Sequence, residues 1–283
     1  MNKLKKLLKY LIGFLFLSLI LGYFSFYYFT KPKSDEKILS EFKALGIKPE
    51  LTYETFRGFT YRKIKITNDK DLPTMVFVHG TIGSSLDFIG YMSDSVLAKK
   101  TNFISYDRVG YNYDDEHGTQ ASIAFERDLL QSITKDLKRR KTIVVGYSYG
   151  GPIALADTND YKKTILIAPA VYHKVEPEFW FVNIYKWSLT KWLVPNIWKQ
   201  AGKEKLTHKE DLQKFDNIWT ENKNDIISIH GTEDVIVPFS NSEYLLEQFP
   251  EKQFKLVKIP GAKHFLIWED FDIIKEQFLK SLD

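Results

Sequence analysis

Val144-Val145-Gly146-Tyr147-Ser148-Tyr149-Gly150-Gly151 is the stretch on which the reading of the fold turns. It sets Gly-x-Ser-x-Gly directly after a β-branched run and before a helix-compatible segment. A serine on so sharp a strand-to-helix turn holds strained backbone angles. Side chains two positions to either side would collide with the neighbouring strand and helix, which is why both are glycine. The helix that follows aims its first N–H groups and its positive dipole end at the serine. Chance alone supplies the pattern in about one chain in ten of this length, so it gains force only if a base and an acid follow at suitable places.

They do. His230-Gly231-Thr232-Glu233-Asp234-Val235-Ile236-Val237-Pro238 follows the apolar run Ile226 to Ile229, and Pro260-Gly261-Ala262-Lys263-His264-Phe265 follows Phe254 to Ile259. Further runs lie at Met75 to Val78, Phe103 to Tyr106, Ile143 to Val145 and Ile165 to Ala168, short and continuously apolar, as strands buried on both faces require. Helical stretches separate them, clearest at Ile123 to Leu137. Alternating strand and helix give the α/β class with a mostly parallel sheet flanked by helices. Parallel strands then bring Ser148, Asp234 and His264 to one sheet edge. Ahead of these, Leu51 to Ile66 alternates around Gly58 like an antiparallel hairpin.

With these residues in hand, the chain from about residue 51 onward resembles the α/β-hydrolase family. The resemblance rests on the Gly-x-Ser-x-Gly elbow, the HGxxDxxVP acid turn, the Gly-x-x-His turn, Val78-His79-Gly80-Thr81-Ile82-Gly83 after the first parallel strand, and Tyr106-Asp107-Arg108-Val109-Gly110-Tyr111. Beyond Gly110 the sequence departs from the family's small residues, carrying Tyr111, Asn112 and Tyr113. The resemblance implies Ser148 as nucleophile, His264 as its base and Asp234, rather than the adjacent Glu233, as the carboxylate orienting the imidazole. It assigns the backbone N–H groups of Thr81 and Tyr149 to the oxyanion hole. His79 and His230, each before a glycine at a strand end, are read as structural, and Asp107 and Arg108 as a structural charge pair.

The nearly sixty residues between Ala168 and Ile226 break the alternation and hold five of the six tryptophans. They are read as a mostly helical cap inserted over the sheet at about 170–224. Within it, Trp180, Ile184, Trp187 and Lys191 recur at helical spacing, with Phe181, Tyr185, Ser188 and Trp192 alongside. Such a stripe suits aromatics that dock the cap on the sheet and line a pocket, or a face that touches a bilayer.

Tyr10 to Phe29 runs twenty residues without a charge, and about twenty helical residues cross a hydrocarbon layer of ~30 Å. Residues 1–30 are therefore expected to be a membrane anchor, 31–50 a tether with a short helix, and 51–283 the catalytic domain. A cleaved signal peptide is the competitor, although FYYFTKPKS offers no small-residue cleavage site. Lys3, Lys5, Lys6 and Lys9 precede the span, which puts the N-terminus in the cytoplasm and the catalytic domain on the periplasmic or external face. Those four lysines account for the net charge of +4, and the remainder carries 36 residues of each sign, so a nucleic-acid partner is not expected. With no cysteine, disulfides, thiolate metal sites and a thiol nucleophile are excluded. The six histidines, His117 and His173 among them, lack metal-ligand spacing. Hydrolysis of an ester with a hydrophobic acyl or aromatic group, through an acyl-enzyme and without cofactor or metal, is the function these residues suggest. A thioesterase, acyltransferase or peptidase would use the same triad. A membrane-tethered binding protein without activity is the rival from another class, and oligomeric state is not legible.

Overall fold

The structure is a computed structural model describing residues 2–112 and 119–283, so Tyr113 and His117 lie outside the described residues. One sheet holds β1 (Glu50–Phe56), β2 (Phe59–Ile66), β3 (Thr74–Val78), β4 (Asn102–Tyr106), β5 (Thr142–Tyr147), β6 (Lys163–Ile167), β7 (Ile226–Gly231) and β8 (Phe254–Ile259). Their order is β1-β2-β4-β3-β5-β6-β7-β8. From β4 to β8 every pairing is parallel. The hairpin of β1 and β2 joins this core antiparallel through β4. Its two-residue turn puts Arg57 at φ 48° and Gly58 at φ 84°, the left-handed pair that matches strand twist in a tight hairpin.

Alternation along the buried strands builds a core on each face of the sheet. Val76, Val78, Ile104 and Val144 face one side, under the helices Ile123–Thr134 and Gly150–Ala156. Met75, Phe77, Phe103, Ile143 and Val145 face the other, under the C-terminal helix Phe271–Leu282. This second core also takes in Ile38 and Phe42, both fully buried, from the helix Asp35–Ala44. The short helix expected in the tether is thus packed onto the domain. Ile38 and Phe42 lie four apart on one helical face, and Asp35 at the helix start pairs with Arg62 of β2 at 2.9 Å.

The N-terminal helix spans Asn2–Thr30. It is the one helix among the described residues long and apolar enough to cross a membrane. Its last turns touch the cap: the rings of Phe26 and Trp198 lie 5.3 Å apart.

Between β6 and β7 the chain is mostly helical, with one long helix, Asn196–Gln213. The aromatic stretch differs from the continuous helix its spacing predicts. It is broken into the turns Trp180–Val182, Asn183–Lys186 and Ser188–Lys191, with Trp187 extended at φ −81°, ψ 125°. Nor do these aromatics dock on the sheet, since Trp180, Trp187 and Trp192 are exposed. Spacing carries no information on which neighbour covers a face, and here Trp219 further on is the tryptophan the core absorbs.

Candidate active site

Ser148 sits at φ 54° between β5 and the helix Gly150–Ala156. The backbone is held there by Ser148 N–H donating to Ile167 O at 2.9 Å and by Gly151 N–H donating to Ser148 O at 2.9 Å. The glycines of the turn are enforced by close approach. A Cβ on Gly146 would stand 2.2 Å from Gly150 O, and one on Gly150 would stand 2.1 Å from Val78 O. Both obstacles are backbone and cannot rotate away. Gly150→Ala is accordingly expected to push the helix off β3, to lower stability by about 1–3 kcal/mol, and to displace the serine. Thermal melting checks it; an unperturbed variant would contradict the close packing.

His264 Nε2 lies 3.1 Å from Ser148 Oγ, and His264 Nδ1 lies 2.7 Å from Asp234 Oδ2. All three side chains are nearly buried. The second oxygen of Asp234 accepts the N–H groups of Ile236 and Val237 at 2.9 and 2.8 Å. Burial pushes the Asp234 carboxyl up, but hydrogen bonds from His230, His264 and the Val237 amide outweigh it and hold the group well below the usual carboxylate range. Glu233 points to solvent. Tyr147 supports the imidazole from behind, its hydroxyl donating to His264 O at 3.0 Å and its ring stacked at 5.3 Å.

The amides named for the oxyanion flank the serine. Tyr149 follows it directly, and Gly80, next to Thr81, comes so close that a Cβ there would stand 2.9 Å from Ser148 Cβ. Among the described residues, neither the Thr81 nor the Tyr149 N–H has a protein acceptor, as amides kept for a ligand would require. Ile82 in the same loop is held at φ 59°, an outlier for a β-branched residue.

Both structural histidines are fully buried. Arg108 N–H donates to His79 Nε2 at 2.9 Å, so the His79 proton is on Nδ1, which lies 2.7 Å from Gly80 O. Burial and the neighbouring Arg108 cation hold its imidazole well below its usual range. His230 stands nearer the chemistry than its motif position suggests. Its Nε2 donates to Val237 O at 2.9 Å and lies 3.4 Å from Asp234 Oδ2. Its Nδ1 is then the acceptor of Ser242 Oγ–H at 2.7 Å, and Ser242 in turn accepts from Ser228 at 2.8 Å.

The expected Asp107–Arg108 pair is two pairs instead. Asp107 binds Arg62 of β2 at 2.7 Å. Arg108 binds Glu204 of the long cap helix, Nη1 to Oε1 at 2.9 Å and Nη2 to Oε2 at 3.1 Å, with both side chains fully buried. Consecutive side chains on an extended segment point to opposite sides, so neighbours in sequence need not meet. Glu204 also accepts from the hydroxyls of Tyr111 and Thr81, each at 2.8 Å, and from Gln200 at 2.9 Å. Arg108 in turn donates to His79 O at 3.0 Å and Gly80 O at 3.2 Å. The cap is thereby tied to the loop that carries the Thr81 amide. Sequence reasoning missed Glu204, which stands in the charge run Lys203-Glu204-Lys205 with the look of a solvated helix face.

Around the serine the surface is apolar. Val235 and Ile236 beside Asp234, Phe265 and Trp268 near His264, and Ile82 in the loop after Gly80 are all exposed large hydrophobic residues. No cluster of side chains able to hold a metal ion occurs among the described residues.

Comparison with known proteins agrees with this architecture. A family model of the α/β hydrolase fold matches residues 73–166, and that of the prolyl oligopeptidase family matches 127–280. No curated protein matches. Among solved structures, a proposed lipase from Acinetobacter baumannii superposes with a TM-score of 0.66 at 15% identity, covering 88% of this chain and 96% of that one. An esterase from Exiguobacterium antarcticum gives 0.65 at 18% identity over 82% and 99%. A bacterial membrane phospholipase A gives 0.64 at 14% identity over 97% and 98%. At these identities the likeness is one of fold.

Proposed function

This chain belongs to the α/β-hydrolase family, and from that premise we propose that it is a serine hydrolase cleaving a carboxylic ester with a hydrophobic acyl or aromatic group. The observation that carries the reading is the single imidazole of His264 in contact with both Ser148 Oγ and Asp234 Oδ2. Ser148 Oγ attacks the ester carbonyl carbon while His264 Nε2 takes its proton, and Asp234 holds the Nδ1–H and stabilises the imidazolium. The oxyanion accepts the N–H groups of Thr81 and Tyr149. Collapse expels the alcohol, which leaves with the proton from Nε2, and water activated by the same imidazole frees the acid from Ser148. The apolar rim favours a hydrophobic acyl group, and neither step calls on a cofactor or metal.

Fluorophosphonate labelling tests this. The folded protein should label at Ser148, and a folded protein that never labels would return it to the class of non-catalytic binding proteins on a hydrolase scaffold. A panel of p-nitrophenyl esters of graded chain length then reads the acyl preference. The match to the prolyl oligopeptidase family over 127–280 favours a second reading, a peptide amide cleaved by the same three residues. Hydrolysis of peptides in preference to every ester of the panel would install it.

We also take residues 1–30 as a retained anchor with the N-terminus in the cytoplasm, on the lysines that precede the span. The chain should stay in the membrane fraction through carbonate washing, and protease added outside intact spheroplasts should reach the catalytic domain. A soluble form shorter by about thirty residues would instead be the product of signal cleavage.

A further inference from the structure

The cap carries a group of large apolar side chains that are mostly exposed. Trp180 is 79% exposed, Trp187 62%, Leu189 85% and Trp192 71%, all within thirteen residues. Scattered single hydrophobics on a surface are ordinary, but so many of the largest side chains exposed within one short segment mark an interaction site. Two features on the molecule identify the occupant. From Phe179 to Pro195 there are two lysines and no acidic residue, and tryptophan interspersed with lysine is the composition favoured where headgroups meet acyl chains. The stretch also leads into a contact with the N-terminal helix, because Trp198, at the start of the long cap helix, has its ring 5.3 Å from that of Phe26, four residues before that helix ends. The cap is thus held at the depth where the apolar span gives way to the soluble chain.

We propose that residues 179–195 are an interfacial membrane-docking face, with Trp180, Trp187, Leu189 and Trp192 seated at the headgroup boundary of the leaflet from which the N-terminal helix emerges. The proposal rests on the anchor reading for the depth of the cap and the identity of that leaflet, and on the exposed tryptophans and lysines for the docking itself. Lys186 and Lys191 lie toward the anionic headgroups, and the stretch is broken into short turns with Trp187 extended between two of them. Docking fixes the cap against the bilayer, so an ester dissolved in that leaflet meets the enzyme without first entering water.

Because the chain has no cysteine, Leu189→Cys gives a single labelling site in the full-length protein. A bimane placed there, in vesicles of phosphatidylcholine and phosphatidylglycerol bearing nitroxide lipid, should be quenched severalfold more than one at Glu251→Cys, an exposed position before β8. Equal, weak quenching at the two sites overturns the proposal. So does efficient cross-linking of Leu189→Cys to itself in dilute vesicles, which would give the face to a second copy. A second arm replaces Trp180, Trp187 and Trp192 together by serine: turnover of a water-soluble short-chain ester should persist while that of a long-chain ester resident in the vesicles falls several-fold, and equal retention of both overturns the proposal as well. Carbonate washing reads the anchor separately, so a chain that washes off defeats the anchor reading while quenching at Leu189→Cys still decides the docking.

Discussion

With Ser148 replaced by alanine, turnover of the best ester should fall by about four orders of magnitude or more while the protein stays folded. The stability side follows from the backbone. Ser148 already sits at φ 54°, and alanine, with the same Cβ, inherits that strain without adding to it. The folded state loses only the Oγ–His264 hydrogen bond, worth about 1 kcal/mol. Glycine relieves the left-handed strain, so Ser148→Gly should be equally inactive yet at least as stable as Ser148→Ala, the opposite order to a glycine substitution in ordinary backbone. Active-site titration and thermal melting of the three proteins in detergent check both halves. An alanine variant retaining a tenth of the wild-type rate would remove Ser148 from the chemistry. A glycine variant melting well below the alanine one would mean that the turn does not carry the strain its φ implies.

What could be read from the sequence shares one physical property: the constraint acts between residues close along the chain or through a strand end. Gly146 and Gly150 are dictated by backbone atoms four residues along the chain and on the adjacent strand β3, respectively. The apolar runs are visible because a strand covered on both faces tolerates few polar residues. Ser148, Asp234 and His264 each follow such a run, so parallel order alone brings them to one edge. The cap is where this logic stops. Its aromatic spacing fits a helix docked on the sheet, but whether a face is covered depends on the neighbour, and the stretch is broken and exposed. The helix Asp35–Ala44 has the apolar pair that docks it, yet a sequence that short does not say what it docks against. Glu204 is the extreme case, since its partner Arg108 lies 96 residues away in the chain, and neither residue's surroundings in sequence announce burial.

Glu204 also sets the largest stability effect. Glu204→Ala leaves the Arg108 guanidinium fully buried without its carboxylate and strands the hydroxyl of Tyr111 beside it. Breaking one half of a buried ion pair costs about 3–5 kcal/mol, against a total of about 5–15 kcal/mol for a typical domain. A variant with unchanged melting would show that the pair contributes nothing. Removing both charges separates fold from function. In Arg108→Met with Glu204→Met neither half of the pair is left without the other, and apolar replacements of such pairs are often neutral, so much of the stability lost in Glu204→Ala should return. Activity should not return with it, because Arg108 also donates to the carbonyls of His79 and Gly80 and Glu204 accepts from Thr81. These bonds fix the loop that brings Gly80 and Thr81 beside the serine, and a shift of about 1 Å in such a loop can cost a hundredfold in rate. Thr81→Val, which removes one hydroxyl from an exposed residue, should lower kcat with little change in melting, and Thr81→Ser should restore it. If the double methionine variant regains stability and rate together, the node between Arg108 and Glu204 serves packing alone, and the loop at Thr81 owes its position to β3 and the elbow.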